Sequence, residues 1–132
     1  MRKTAYLIIL SAVLVLSGCS LDRSNPLDPN ANDIQVPPSI TGLLLASNVA
    51  GTVNIKCDRY ADVSKYKIYR SLSYDGSYLM IAEVIQPGQN TKPEYVDENV
   101  QPNGYYYYKV SGVNAQGLEG PISPYKGIRV KM

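Results

Sequence analysis

Few side chains in this 132-residue sequence are suited to acid–base or covalent chemistry. There is no histidine. The commonest general base is therefore missing, as is the middle member of a Ser-His-Asp arrangement. Without His, a lone thiol makes a poor zinc site. No G-x-x-x-x-G-K-[ST] phosphate loop occurs. Carboxylates gather at Asp97-Glu98, with Glu94 nearby. Such a pair can hydrolyse glycosides when it flanks a cleft. On a short strand and its turn, however, these side chains are expected to be exposed and solvated. The expectation is a protein that is not an enzyme and carries neither metal nor cofactor. Two cysteines remain, Cys19 and Cys57, together with 12 tyrosines in a chain that has no Phe and no Trp. Four of the tyrosines are consecutive, Tyr105 to Tyr108.

The first cysteine sits at the end of an organised segment. Met1-Arg2-Lys3 is short and positive, Ala5 to Leu16 is an uncharged apolar run, and Leu16-Ser17-Gly18-Cys19 follows at once. A positive start, an apolar stretch of this length and small residues before a cut site make a secretory signal. The run is shorter than the ~20 apolar residues of a spanning helix, and no later stretch approaches that length. The tetrad L-S-G-C resembles the bacterial lipobox. That resemblance implies a signal peptide over residues 1–18, a diacylglycerol on the Cys19 thiol and cleavage before it. Two or three acyl chains hold a protein at a membrane stably, where one does so only marginally. Ser20 after the modified cysteine resembles the enterobacterial sorting signal for the outer membrane.

Cleavage before Cys19 removes 18 of 132 residues and leaves 114, about one domain. It also removes Arg2 and Lys3. The net charge of +2 falls to zero, with 11 basic residues against 11 acidic. A neutral chain has no general electrostatic drive toward nucleic acid. Residues 19–36 are rich in Asn, Asp, Ser and Pro, and read as a lipidated cysteine and a disordered tether. Asn25-Pro26 and Asp28-Pro29 favour turns or extended backbone. Fully extended, residues 20–36 reach ~55 Å; as a coil they span about 23 Å. Six Asp or Asn residues there invite a calcium site, but Asp22, Ser24, Pro26 and Asp28 do not follow D-x-[DN]-x-[DN]-G, and no Glu closes the loop.

From Pro37 onward, short runs of period-two alternation are separated by turn residues. Strands are expected over 40–45, 52–57, 64–70, 78–84, 94–97, 104–114 and 126–131. The breaks at 48–51, Asp75-Gly76, 87–90, 102–104 and Gln116-Gly117 carry turn chemistry. Seven short antiparallel strands in residues 37–132 predict an all-β, two-sheet immunoglobulin-like sandwich. Val53, Ile55 and Cys57 alternate onto one face. With Cys19 lipidated, Cys57 has no partner within the chain. It is either a small buried residue or a thiol open to intermolecular pairing or reaction.

The domain resembles a fibronectin type III module over essentially all of residues 37–132. Pro37-Pro38 matches the usual entry. Val53, Ile55 and Cys57 match the second strand, with Cys57 where a core Trp is usual, and 66–70 match the third. Val100-Gln101-Pro102-Asn103-Gly104-Tyr105-Tyr106, followed by Tyr108, Val110 and Asn114-Ala115-Gln116-Gly117, follows the pattern L-x-P-G-T-x-Y and its Asn- and Gly-bearing turn. Pro124 falls near the start of the last strand. The resemblance implies that Tyr106 is the tyrosine-corner residue, its hydroxyl bonded to backbone near Pro102. No Arg-Gly-Asp triplet occurs, so that adhesive device of the family is not carried over.

If Tyr106 and Tyr108 face the core, Tyr105 and Tyr107 face out. The family topology makes the third, sixth and seventh strands neighbours. Lys67, Tyr69, Tyr105, Tyr107, Lys109, Arg129 and Lys131 would then share an aromatic, basic outer face. Cross-strand pairing that stabilises the sheet is one reading of it. A recognition surface for an envelope protein or a polysaccharide is the other. The expected function is a membrane-anchored extracytoplasmic lipoprotein with a non-catalytic interaction or scaffold module. The alternatives are a carbohydrate-binding accessory module and a structural subunit of an envelope assembly.

Overall fold

The computed structural model describes residues 35–48 and 51–132. The signal peptide, Cys19, Ser20 and nearly all of the tether lie outside the described residues. Seven strands follow in chain order: β1 (Leu44–Ser47), β2 (Val53–Lys56), β3 (Lys65–Ser71), β4 (Leu79–Ile85), β5 (Glu94–Asp97), β6 (Tyr105–Val113) and β7 (Lys126–Arg129). One sheet has the order β1-β2-β5 and the other β4-β3-β6-β7. Every pairing is antiparallel. This is the expected all-β, two-sheet architecture.

The first strand departs from its expected limits. It begins at Leu44 and not at Ile40, because Gly42 adopts φ +64° and turns the chain. A side chain there would strike the Asp58 carboxylate, 2.2 Å from a Cβ at that position. Ile40 is nevertheless in the core, at 1% exposure. The last strand stops at Arg129, after which Val130 O accepts from Asn103 N and Lys131 N donates to Ser47 Oγ.

The inward faces meet as the alternation requires. Val53, Ile55 and Cys57 from one sheet pack with Tyr66, Ile68, Tyr106, Tyr108 and Val110 from the other. Tyr66 and Tyr108 are the largest side chains fully enclosed. Burying a large side chain contributes about 2–3 kcal/mol. In a chain without Phe or Trp, that volume comes with hydroxyls, and a buried hydroxyl left unpaired is costly. Each one here has a partner. Tyr66 donates to Gln86 Oε1 at 3.0 Å and accepts from Tyr60 N at 2.9 Å. Tyr108 donates to Asp97 Oδ2 at 2.9 Å. Tyr106 accepts from Gln101 N at 2.9 Å, next to Pro102, which is the tyrosine-corner bond.

Asp97 corrects the expectation of a solvated acidic pair. It is 1% exposed. Arg70 Nη1 lies 2.8 Å from its Oδ2 and 3.1 Å from its Oδ1, and Asn99 N donates to it at 3.0 Å. The parity of β5 places Asp97 inward, opposite Val53. Burial of this carboxylate therefore depends on the cation that β3 delivers. Glu98 is exposed, and Glu94 is exposed and bonded to Lys56 and Asn54.

Candidate interaction face

The outer face of the four-stranded sheet is set by strand parity. With Tyr66, Ile68, Tyr106 and Tyr108 inward, Lys67, Tyr69, Tyr105, Tyr107 and Lys109 must point away from the core. The register aligns them: Lys67 opposes Ser111, Tyr69 opposes Lys109, Tyr107 opposes Gly127 and Tyr105 opposes Arg129. Arg129 is thus on the same face. Lys131 lies just past the end of β7, held at its backbone by Ser47.

The face is not one continuous basic, aromatic surface, and this is a second correction. Its upper part is a polar network centred on Glu119. Lys67 Nζ donates to Glu119 Oε2 at 2.6 Å, Tyr69 OH donates to Oε1 at 2.5 Å, and Ser111 Oγ donates to Oε1 at 2.6 Å. Glu119 comes from the β6–β7 connection, which a single bridge to Val113 folds back over the sheet. Burial alone would raise the Glu119 pKa. The bonds from Lys67, Ser111 and Tyr69 outweigh it and hold the carboxyl below its ordinary value. The Glu119 bond holds Lys67 above its own. Lys67 and Tyr69 are thereby committed to an intramolecular contact.

The lower part is a cluster of tyrosines. Tyr107 is central, with ring centroids 5.1 Å from Tyr105, 5.7 Å from Tyr125 and 6.2 Å from Tyr74. Tyr74 and Tyr125 complete it at 5.9 Å. Tyr74, Tyr105 and Tyr125 are each about half exposed. The interplanar angles run from 39° to 76°. Tyr107 meets Tyr74 and Tyr125 edge to face, an arrangement ring quadrupoles favour, and the other two pairs are tilted. Gly127 makes this possible. A Cβ there would lie 2.9 Å from Tyr105 Cε1 and 3.0 Å from Tyr107 Cε1, so both rings rest on bare β7 backbone. Desolvation, then the neighbouring tyrosines, raise the Tyr107 hydroxyl pKa. Beside the cluster, Lys109 Nζ stands 4.1 Å above the Tyr78 ring.

Sequence reasoning missed Glu119, Tyr74, Tyr78 and Tyr125. Tyr125 was within reach, because it shares the parity of Gly127 and Arg129. Glu119 and Tyr74 sit in connections, whose placement no period predicts.

Cys57 is 1% exposed, and its thiol pKa is pushed up to about 12, by burial first and by the adjacent Asp58 second. Among the described residues, no group of three His, Cys, Asp or Glu side chains is placed to hold a metal ion.

No protein-family model matches the sequence, and no curated protein matches it. Solved structures do. An Fn3-like protein from Clostridium thermocellum is 27% identical, with a TM-score of 0.63, and the match covers 74% of this chain and 97% of that one. The FN5 domain of Drosophila Lar is 14% identical, with a TM-score of 0.57, covering 74% of this chain and 99% of that one. A β-1,2-glucanase from Parabacteroides distasonis is 24% identical, with a TM-score of 0.54, covering 71% of this chain but 13% of that one. With its two antiparallel sheets, its strand order and these neighbours, the described domain is a fibronectin type III-like β-sandwich.

Proposed function

We propose that this chain is an extracytoplasmic lipoprotein, held at a membrane through a lipid on Cys19, whose fibronectin type III-like domain acts as a non-catalytic interaction module. The observation that carries the interaction role is the half-exposed tyrosine cluster of Tyr74, Tyr105, Tyr107 and Tyr125 on a rigid sheet. Tyrosine offers a large apolar body with a polar tip at low conformational cost, which suits recognition. The similarity to an Fn3-like protein, matched over 97% of that chain, supports a non-catalytic module. The L-S-G-C tetrad behind its apolar run supports the anchor. Polysaccharide stacking is the weaker fit. A sugar ring needs an open, flat aromatic face, whereas these rings cover one another at 39° to 76°.

Metabolic labelling with a radioactive fatty acid, with Cys19→Ala as the control, tests the anchor. Label is expected on the wild type and not on the variant, and the wild type is expected in the membrane fraction. An unlabelled wild type found soluble sinks the proposal.

A further inference from the structure

The outer face of the β4-β3-β6-β7 sheet carries a combination of side chains beyond the tyrosine cluster. Met80 opposes Tyr69 and Ile85 opposes Lys65, and they are 52% and 81% exposed. The acids of this face are largely spent on its own lysines: Glu83 pairs with Lys65 at 2.9 Å and Glu119 with Lys67 at 2.6 Å. Asp75, near the Tyr107 ring, accepts from Ser73. Lys109, Arg129 and Lys131 take part in none of the ion pairs among the described residues. The face therefore presents half-exposed tyrosines and apolar side chains with a surplus of cations around them.

We propose that this face docks on the surface of the bilayer into which the Cys19 lipid is inserted, with Tyr74, Tyr105 and Tyr125 at the headgroup level and Arg129 and Lys131 on anionic lipid headgroups. The inference rests on the lipoprotein reading above and names what the face meets. Tyrosine is enriched at membrane–water interfaces because its ring and its hydroxyl prefer opposite sides of that boundary. A bilayer asks for no shape complementarity, so tilted rings serve as well as flat ones. Each Lys or Arg near an anionic leaflet strengthens attachment about fivefold.

Chain length allows the contact. Gln35 O accepts from Asn114 Nδ2, which fixes where the tether meets the domain. Tyr107 lies seven residues back along β6 from Asn114, ~23 Å at ~3.3 Å per residue. The segment between Cys19 and Gln35 spans about 22 Å as a coil and up to ~50 Å when extended. The domain can lie on its sheet face while the anchor stays inserted. The tether also holds the face at high effective concentration, so a weak surface affinity suffices.

The test uses lipidated protein extracted from membranes and reconstituted into phosphatidylcholine vesicles with or without phosphatidylglycerol. The lipids are brominated near the headgroup end of their chains. With no Trp, intrinsic fluorescence comes from tyrosine alone. Bromolipid quenching is expected with phosphatidylglycerol and is expected to fall severalfold in high salt. It is expected to be lost in Tyr105→Ser/Tyr125→Ser and in Arg129→Glu/Lys131→Glu, the second variant leaving the rings untouched. Flotation with the vesicles without quenching, or quenching equal in all three proteins, overturns the docking and leaves the anchor standing. Failure to float on either vesicle refutes the anchor and the docking with it. A detergent-solubilised dimer that Tyr105→Ser/Tyr125→Ser dissociates, with no quenching on vesicles, assigns the face to a second copy and also overturns the docking.

Discussion

The hydroxyl of Tyr108 donates to Oδ2 of Asp97 at 2.9 Å and so ties β6 of the four-stranded sheet to β5 of the three-stranded one across the interior. Arg70 on β3 reaches the same carboxylate at 2.8 Å. Three strands from two sheets thus converge on one buried anion. Burial and the Asp97 bond, in that order, drive the Tyr108 hydroxyl pKa far up.

Asp97→Ala should therefore cost about 3–5 kcal/mol, because it strands the Arg70 guanidinium without its anion. Tyr108→Phe should cost about 1.5–3 kcal/mol, since Arg70 and Asn99 still satisfy Asp97. Urea unfolding of both variants checks the order. A loss for Asp97→Ala no larger than that for Tyr108→Phe would contradict a buried ion pair at the sheet junction.

Cys57 should resist iodoacetamide in the folded protein and react fully in denaturant, because its thiol is buried and protonated. Its pKa in the folded state, about 12, is above the ordinary 9.0. The folded state therefore holds the proton longer than the unfolded state does. This contribution to stability is complete below pH 9.0 and is lost as pH rises toward about 12. Thermal midpoints across that window should fall more steeply for the wild type than for Cys57→Ala. Labelling of the native thiol at the denatured rate would refute the burial.

Glu119 works in the opposite direction. Its carboxyl lies below the ordinary 4.5 in the folded state, so its stabilisation is present above that value and lost as pH falls through the folded pKa. Glu119→Gln should lower stability by about 1–2 kcal/mol near pH 7, the scale of charge-assisted bonds to a partly exposed carboxylate. Near pH 3 the two proteins should approach each other. Chemical denaturation at both pH values measures this. A constant gap would mean that Glu119 acts through packing and not through its charge.

How far the sequence could be read depended on whether a residue sat in a period. The alternation Val53, Ile55, Cys57 and the run Tyr105 to Tyr108 state their faces outright, because a strand offers only two directions. β5 was legible to the residue and β2 to within one, and the tyrosine corner followed from its motif. The start of β1 was not legible, because Gly42 reads as any glycine until Asp58 is seen beside it. The candidate face was half legible. Its members on β3, β6 and β7 came from parity, whereas the residues that change its character, Glu119 and Tyr74, come from connections.

By itself, then, the sequence determined the two-sheet sandwich, the inward and outward sets of β2, β3 and β6, the lack of histidine chemistry, and a lipobox-like tetrad ending at Cys19. Only the tertiary structure decided which outward residues are available. It placed the Glu119 carboxylate on Lys67 and Tyr69 and left Tyr105 and Tyr125 half open. It also allowed a charge in the core: parity turns Asp97 inward and Glu94 outward, but only Arg70, brought against Asp97 from the other sheet, lets that carboxylate stay buried. The reason is physical. Periodicity records the direction in which a side chain leaves its own strand, whereas the cost of burying a charge depends on what a distant part of the chain brings to meet it.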